Sequence, residues 1–317
     1  MRVMPFPAYE EPDHRPAGIA LEYLAEARPA GREETSRASE HRGDEDYPCA
    51  GGPAPTTAMA GLPPEDEMID VTTLSSPEAA DATAVYAVAD IHGRRDLLDA
   101  MERAIAADIA ETRTERPLIC YLGDYIDRGP QSAQVIERLC GPFTDGVARV
   151  FLKGNHEDRM IDFLDAPERN GPSWIKFGGR EALESYGLDV PAAPGDDDWL
   201  PLRDALRAAL PARHLAFLGD LRLGLVWRDY LLVHAGLDPE KPLALQAPHD
   251  LMWIREPFLS SERDWGFTIV HGHVIVDEPV FRANRIGIDT GAYQSGRLTC
   301  LVIAEGGTRL IQVASPA

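Results

Sequence analysis

The stretch best suited to chemistry lies at residues 118–129, where a short apolar run is followed by Gly-Asp-Tyr-Ile-Asp-Arg-Gly. The apolar run is typical of a buried strand, so Asp124, Asp127 and Arg128 stand where that strand ends. Charges in such a place are costly unless something compensates them, and a metal ion would do so. We expect Asp124 to bridge two cations and Asp127 to reach a neighbour such as a histidine. Arg128 has the planar fork that suits phosphate.

Four other predicted strands also end in residues that can bind metal. In chain order these residues are Asp90 and His92, Asn155 and His156, His234, and His273. Open α/β sheets place their sites at the carboxyl ends of strands. A mixture of carboxylate, amide and imidazole donors favours Mn, Fe or Zn over Mg or Ca. Two such cations, about 4 Å apart, can hold a phosphoryl group and activate water to attack it. Each motif is weak alone, but five together indicate a dinuclear site.

The elements that must position these residues follow an alternating pattern. Strands are predicted at 85–89, 118–122 and 147–152, with helices at 94–111 and 131–140 between them. This order predicts a sheet with helices packed over it. Residues 158–215 predict a helical insertion, with helices at 180–186 and 200–212, which either contacts substrate as a cap or only packs. From residue 221 the pattern is strand-rich, and the apolar run 251–254, followed by Arg255, falls within it.

Composition limits the class of protein. The chain has 317 residues, is 44% hydrophobic and carries a formal charge of -21. Such an acidic chain argues against a nucleic-acid partner. No apolar run is long enough for a membrane helix, and the N-terminus lacks the apolar core of a signal peptide. The four cysteines, Cys49, Cys120, Cys140 and Cys300, form no CxxC pair and are expected to be free thiols. We therefore expect a soluble cytoplasmic protein without a membrane partner.

The first 82 residues differ from the remainder. They are rich in proline and acidic residues and poor in apolar ones, with only a hint of helix at 19–24. Such a segment buries too little apolar surface to offset its ordering entropy, so residues 1–82 are expected to be largely disordered. A docking or regulatory tail is the alternative. Residues 83–317 would form the catalytic domain.

The motifs together resemble those of the phosphoprotein phosphatase branch of the calcineurin-like metallophosphoesterases. The resemblance covers roughly residue 85 to the C-terminus. It rests on Asp90-x-His92, Gly123-Asp124-x-x-Asp127-Arg128-Gly129, Gly154-Asn155-His156-Glu157, His234-Ala235-Gly236 and Gly272-His273. The resemblance implies an α/β (α+β) fold, a two-sheet β-sandwich flanked by helices, with two divalent metal ions between the sheets. Manganese is expected, with iron or zinc as alternatives.

The resemblance also implies a role for each position. The first metal ion would be held by Asp90, His92 and Asp124, and the second by Asp124, Asn155, His234 and His273. His156 would be the general acid that protonates the leaving oxygen, oriented by Asp127. Arg128 would bind the phosphoryl group, with Arg255 as the second phosphate arginine.

The chain departs from the eukaryotic members of that family and looks more like the bacterial branch. Ala235 replaces the middle glycine of their His-Gly-Gly motif, and Asp-Thr-Gly-Ala-Tyr at 289–293 stands where they carry Ser-Ala-Pro-Asn-Tyr. Val274 follows His273 where bacterial members usually have threonine. His271 is an additional histidine, for which a structural or supporting role is expected.

Three functions follow. The leading one is a serine/threonine protein phosphatase that attacks phosphorus directly with a metal-activated hydroxide; its partner is a phosphorylated protein or small phosphoester. The second is a nucleotide hydrolase such as a symmetrical diadenosine tetraphosphatase, with Trp174 and Phe177 as possible purine platforms. The third is a non-catalytic metal-binding scaffold, ranked last because no ligand position is substituted. The oligomeric state is left open.

Overall fold

The described part of the chain includes residues that precede the predicted boundary at residue 83. A computed structural model describes residue 69 and residues 71–315. Strand β1 begins at Ala84, but a 3-10 turn at Val71–Leu74 and the one-turn helix α1 at Pro77–Ala80 precede it. These twelve or so residues belong to the segment expected to be disordered, and part of it is therefore structured. The helix suggested at 19–24 and Cys49 lie outside the described residues.

The first sheet has five strands, in the order β10-β9-β1-β2-β3. Strands β1, β2 and β3 are parallel, and β9 and β10 form an antiparallel hairpin beside β1. The elements up to β3 are β1 (Ala84–Val88), α2 (Arg95–Thr112), β2 (Pro117–Tyr121), α3 (Ser132–Leu139) and β3 (Ala148–Phe151). The hairpin consists of β9 (Arg297–Ala304) and β10 (Gly307–Ala314). The parallel strands direct their carboxyl ends to one edge.

A run of helices lies between β3 and the second sheet in sequence. These helices are α4 (Asn155–Asp165), α5 (Pro167–Trp174), a π-helical turn (Ile175–Gly179), α6 (Arg180–Ser185), α7 (Trp199–Ala209) and α8 (Ala212–Gly219), with a 3-10 turn at Asp196–Asp198. The helix predicted at 200–212 is α7, which ends at Ala209, before Pro211. The following helix, α8, was not predicted.

The second sheet has five strands in the order β4-β5-β6-β8-β7. Its elements are β4 (Gly224–Trp227), β5 (Tyr230–Val233), a 3-10 turn (Leu243–Leu245), α9 (Pro248–Trp253), β6 (Thr268–His271), β7 (Val280–Phe281), β8 (Arg285–Gly287) and the short α10 (Ala292–Ser295). Strands β5 and β6 are parallel, so their ends also meet at one edge.

The apolar run at 251–254 is largely helical, although it was grouped with the strand-rich region. Pro248 occupies the first turn of α9, and the Asp250 carboxylate accepts the backbone N–H of Ala247 at 2.9 Å. Proline in the first turn and an acidic cap favour a helix start. These local signals prevail over the strand propensity of the apolar run.

The two sheets pack face to face. Leu232 and Val270 of the second sheet belong to the same buried cluster as the first-sheet strands, whereas their neighbours Leu231 and Ile269 pack on the opposite face. Because successive strand residues point to opposite faces, this alternation gives the second sheet two buried faces. The prediction of a two-sheet sandwich flanked by helices is confirmed.

Candidate metal centre

The residues predicted to form the site lie together at one edge of the two sheets. Asp90 and His92 follow β1; Asp124, Asp127 and Arg128 follow β2; Asn155 and His156 open α4 after β3; His234 follows β5; and His273 follows β6. Short motifs that are far apart in the sequence thus meet in the fold, because all five strands end on the same side. Apart from Arg128 and His273, all of these side chains are buried.

Asp124 is at the centre of this cluster. Its Oδ2 atom lies 3.4 Å from His234 Nε2, 3.5 Å from His92 Nε2 and 3.8 Å from His156 Nε2. Donor atoms of His92, Asp124 and His156 lie within 4.8 Å of one another, as do those of Asp124, His234 and His273. Asp124 belongs to both triplets, which is the arrangement that a bridging carboxylate requires.

The tautomers of two histidines indicate a cation beside Asp124. Nδ1 of His92 is 2.8 Å from the carbonyl oxygen of Ile126, and Nδ1 of His234 is 2.9 Å from that of Leu122. Each Nδ1 therefore donates its proton to the backbone. Nε2 of each ring then faces a carboxylate oxygen, an arrangement that needs a proton or a metal ion between them. A carbonyl on one ring nitrogen and a metal on the other is the usual arrangement of metal-binding histidines.

Electrostatics point the same way. Burial alone would raise the pKa of Asp124, but His234 and His156 lower it well below its usual value. Burial would lower the pKa of His234, yet the charge of Asp124 raises it to about 10. Positive charge is therefore stabilised between Asp124 and His234, and a divalent cation fits that position.

Asn155 and Asp90 complete the ring of donors. Asn155 Oδ1 lies 3.0 Å from His234 Nε2 and 2.9 Å from His273 Nδ1. Asp90 is outside the two triplets, but its Oδ2 accepts the backbone N–H of His273 at 3.0 Å. Burial, together with Asp289 and Asp124, raises the pKa of Asp90 well above its usual value. An uncompensated carboxylate is thus unfavourable there, and the structure places Asp90 at the site as predicted.

The backbone of these loops is strained. His92, Asp124, Asp127, Arg128 and His273 all have positive φ, between 45° and 70°. Side-chain-bearing residues in this region cost on the order of 1 kcal/mol or more each, and such strain collects at functional sites. The turns that carry the donors are therefore held in place by the rest of the structure.

Glu157 supplies much of that support. Its fully buried carboxylate accepts the backbone N–H groups of Asp124 at 2.9 Å, Tyr125 at 2.8 Å and Gly154 at 3.0 Å. Glu157 belongs to the Gly-Asn-His-Glu motif, but the sequence predicts no role for it. Several N–H donors converging on one carboxylate bind the loop after β2 to the start of α4.

His156 pairs with Asp127, as predicted. His156 Nδ1 is 2.6 Å from Asp127 Oδ2, and both side chains are buried. The backbone N–H of Asp127 donates to Ser132 Oγ at 2.9 Å. The second carboxylate oxygen, Oδ1, has no partner among the described residues. With Nδ1 bound to Asp127, Nε2 of His156 is the atom that faces the cluster.

Trp174 reaches the same carboxylate and was not predicted to do so. Its indole N–H donates to Asp127 Oδ2 at 2.8 Å, and the side chain is fully buried. A purine therefore cannot stack on Trp174, and that suggestion is wrong. Phe177 is partly exposed, but the Arg159 guanidinium lies over its ring at 4.4 Å. No sequence motif links Trp174 to Asp127, so only the folded chain shows the contact.

Both predicted phosphate arginines lie at the rim of the cluster. Arg255 Nε is 3.4 Å from His273 Nε2. The Arg128 guanidinium lies over the Tyr293 ring at 4.8 Å, and the same ring meets His92 edge-on at 5.4 Å. Tyr293 was seen in the sequence only as part of a divergent motif. Its position between Arg128 and His92 makes it a further wall of the site.

His271 lies apart from the donors. Its buried ring packs edge-on against Phe258 at 5.2 Å, and its Nδ1 is 3.0 Å from the carbonyl oxygen of Gly272. Burial lowers its pKa to about 4. These contacts fit the structural role that was expected.

A second group of possible ligands lies elsewhere, between α3 and α8. Glu137, Cys140 and His214 place donor atoms within 4.8 Å of one another. However, Arg213 and His214 already bind the Glu137 carboxylate. The charge of Glu137 is therefore compensated without a metal ion. Cys120, Cys140 and Cys300 are free thiols, as expected.

A buried set of carboxylates, an amide and imidazoles, bordered by two arginines, defines the site of a metal-dependent phosphoester hydrolase. The chain belongs to the calcineurin-like phosphoesterase family, whose model matches residues 83–296. Members of this family use divalent metal ions, so the donor cluster and the family agree.

Similar proteins include enzymes named for two kinds of substrate. The chain is 28% identical over 199 residues to an asymmetrical bis(5'-nucleosyl)-tetraphosphatase PrpE of Anoxybacillus flavithermus, covering 58% of this chain and 74% of the relative. It is 26% identical over 223 residues to serine/threonine-protein phosphatase 2 of Escherichia coli, covering 68% and 90%. Phosphoester hydrolysis is common to both names.

A solved structure supports the fold. A crystal structure described as a candidate diadenosine tetraphosphatase aligns with a TM-score of 0.53 and 20% identity, covering 77% of this chain and 97% of the other. Within the part of the chain that the structure describes, no helix is long and apolar enough to cross a membrane.

Proposed function

We propose that this protein is a metal-dependent phosphomonoesterase that releases phosphate from phosphoserine or phosphothreonine in proteins. The observation that carries the proposal is the buried His156–Asp127 pair, at 2.6 Å, beside the donors around Asp124. A general acid next to a cation site suits hydrolysis of an ester whose leaving group is an alkoxide. The catalytic domain would be residues 83–317, with 158–215 as its cap.

In this proposal the site would hold two divalent cations, most suitably manganese. Asp90, His92 and Asp124 would hold one, and Asp124, Asn155, His234 and His273 would hold the other. Bound there, the cations would supply Lewis-acid charge to the phosphoryl oxygens and activate water for attack. Imidazole donors beside carboxylates suit manganese, iron or zinc.

Four side chains of the protein would act beside the cations. Asp127 holds His156 by Nδ1, so that Nε2 can give a proton to the leaving oxygen. Arg128 and Arg255 bind the phosphoryl oxygens with their guanidinium groups. The Tyr293 ring, over which Arg128 lies at 4.8 Å, keeps that side chain at the site.

Hydrolysis of a dinucleoside tetraphosphate is the second candidate. It is favoured by the similarity to the PrpE relative, whose name specifies the asymmetrical rather than the symmetrical class. Against it, Trp174 is buried and the Phe177 ring already lies beneath Arg159. Neither of the aromatic side chains suggested by the sequence is thus well placed to stack on a base.

The test measures phosphate release from a phosphoserine peptide and, in parallel, nucleotide products from diadenosine tetraphosphate, both in the presence of manganese and with His156→Ala as the control. We expect release from the peptide, and a loss of about a hundredfold or more in the variant because its acid is missing. Turnover of the dinucleotide alone would overturn the substrate assignment, and unequal nucleotide products would then identify asymmetrical cleavage. Metal binding with no turnover of either substrate would favour the scaffold.

A further inference from the structure

One short segment of the helical insertion, residues 174–179, contacts the loop that carries Asp127 and Arg128. This segment consists of Trp174 and the π-helical turn Ile175–Gly179. The turn is irregular, since Phe177 and Gly178 have non-helical dihedral angles within it. Single π-type turns inside helices are often found at functional sites. Two separate contacts join this segment to the loop after β2.

The first contact fixes the Asp127 carboxylate. Asp127 Oδ2 receives the Trp174 indole N–H at 2.8 Å and faces His156 Nδ1 at 2.6 Å. Because the indole N–H of Trp174 can only donate, Asp127 must be the acceptor of this hydrogen bond. Because Oδ1 has no partner among the described residues, the side-chain contacts of Oδ2 decide how the carboxylate is turned.

The second contact fixes the backbone that carries Arg128. The Arg128 N–H donates to the Gly178 carbonyl oxygen at 3.1 Å. Gly178 has φ of 105°, and a Cβ atom there would lie 2.6 Å from the Arg128 backbone nitrogen. Only glycine permits both this conformation and this close approach.

We propose that Trp174 and Gly178 are positioning residues for phosphoester hydrolysis. Trp174 orients His156 through Asp127, and Gly178 sets the place of Arg128. The insertion is thereby part of the reaction machinery as well as a cover over it. This inference rests on the proposed function and adds to it the residues that align its acid and its phosphate-binding arginine.

The two contacts predict different kinetic effects. Protonation of the leaving oxygen matters most when the leaving group is poor and little when it is a stabilised anion. Loss of the Trp174 contact should therefore harm hydrolysis of phenyl phosphate and spare 2,4-dinitrophenyl phosphate. Displacement of Arg128 should harm both substrates alike, since both carry the same phosphoryl group.

The experiment compares Trp174→Phe with Trp199→Phe. Trp199 is also buried in the insertion and packs on Gly171, so the change in side chain is matched. We expect Trp174→Phe to lower kcat/KM for phenyl phosphate by about tenfold to a hundredfold, the scale of one hydrogen bond to a charged acceptor. Dinitrophenyl phosphate should change by less than about threefold, and Trp199→Phe should not separate the two substrates. In a His156→Ala background, Trp174→Phe should add no further loss.

Equal losses on both aryl phosphates, or an added loss in the His156→Ala background, would overturn the role of Trp174.

Gly178→Ala tests the second contact and remains available if Trp174→Phe does not fold. We expect it to lower kcat/KM for both substrates by about tenfold or more. Gly187→Ala is its control, because Gly187 also has positive φ but no atom lies within 4 Å of its Cβ position. If Gly178→Ala and Gly187→Ala lowered kcat/KM equally, backbone strain alone would explain the loss, and the proposal would be contradicted.

Measurements on the unmodified protein test the proposed function separately from this inference. Its turnover of phosphomonoesters, measured before any variant, decides the function. If only the dinucleoside tetraphosphate is hydrolysed, the same variants are compared on that substrate. Trp174→Phe must then again have no effect once His156 is alanine, and an independent effect would refute the positioning role.

Discussion

The strand-end loops and the helical insertion meet at the same site but are built differently. The loops bury charged and polar groups, among them His92, Asp124 and Asp127, in backbone that is partly left-handed. The insertion buries apolar faces and keeps its ion pairs at the surface, such as Arg180 with Glu184 at 3.7 Å. In the loops the identity of nearly every residue is set by chemistry. In the insertion packing decides, except where Trp174 and Gly178 touch the loops.

The most severe test of this difference is Asp124→Asn. The change keeps the shape of the side chain but removes the charge that faces three histidine Nε2 atoms. We expect phosphate release to fall on the order of a thousandfold, the scale of a principal electrostatic group in an active site. Bound metal, measured by mass spectrometry of the purified protein, should fall as well.

Asp204→Asn is the matched change in the insertion. The Asp204 side chain is 66% exposed and pairs with its neighbour Arg203. Its activity and metal content should equal those of the parent. If Asp124→Asn kept full activity, the loops would not take part in the reaction. The difference between loops set by chemistry and an insertion set by packing would then be wrong.

A smaller effect is expected from Glu157→Gln, which acts on stability. The two Glu157 oxygens accept N–H groups from Asp124, Tyr125 and Gly154, and a glutamine would turn an NH₂ group toward some of these donors. Buried donors left without an acceptor cost about 1–3 kcal/mol each. We expect the free energy of unfolding, from urea denaturation, to fall by about 2–4 kcal/mol. An unchanged unfolding midpoint would show that the loops do not depend on this carboxylate.

The smallest effect belongs to Glu184→Gln in the insertion. Glu184 is half exposed and its pair with Arg180 is four residues apart on α6. Exposed pairs of this kind contribute less than about 0.5 kcal/mol. The same urea titration should therefore give a midpoint within error of the parent. A loss as large as that of Glu157→Gln would mean that surface pairs, and not only packing, hold the insertion in place.

The loops could be predicted well from the sequence because their metal-binding and catalytic residues occur in short motifs. Asp124, Asn155 and His234 could be assigned to one site since each follows an apolar run that reads as a strand. The insertion could be predicted only as helical. Its contact with Asp127 depends on how α5 folds back over the loop after β2, and Trp174 carries no local pattern that reveals a hydrogen-bond partner. The helix α9 was missed because an apolar run of four residues, 251–254, fits either secondary structure.

The order of strands in the first sheet has a consequence for biosynthesis. Strand β1, which leads to Asp90 and His92, is flanked by β2 on one side and by β9 on the other, where Ala84 pairs with Ala304. A nascent chain emerging from the ribosome therefore carries β1 with one open edge until residues near 304 have been made. Such an edge is prone to wrong pairing while it waits, and long-range pairing slows folding. Residues 297–304 must therefore be translated before β1 has both its neighbours.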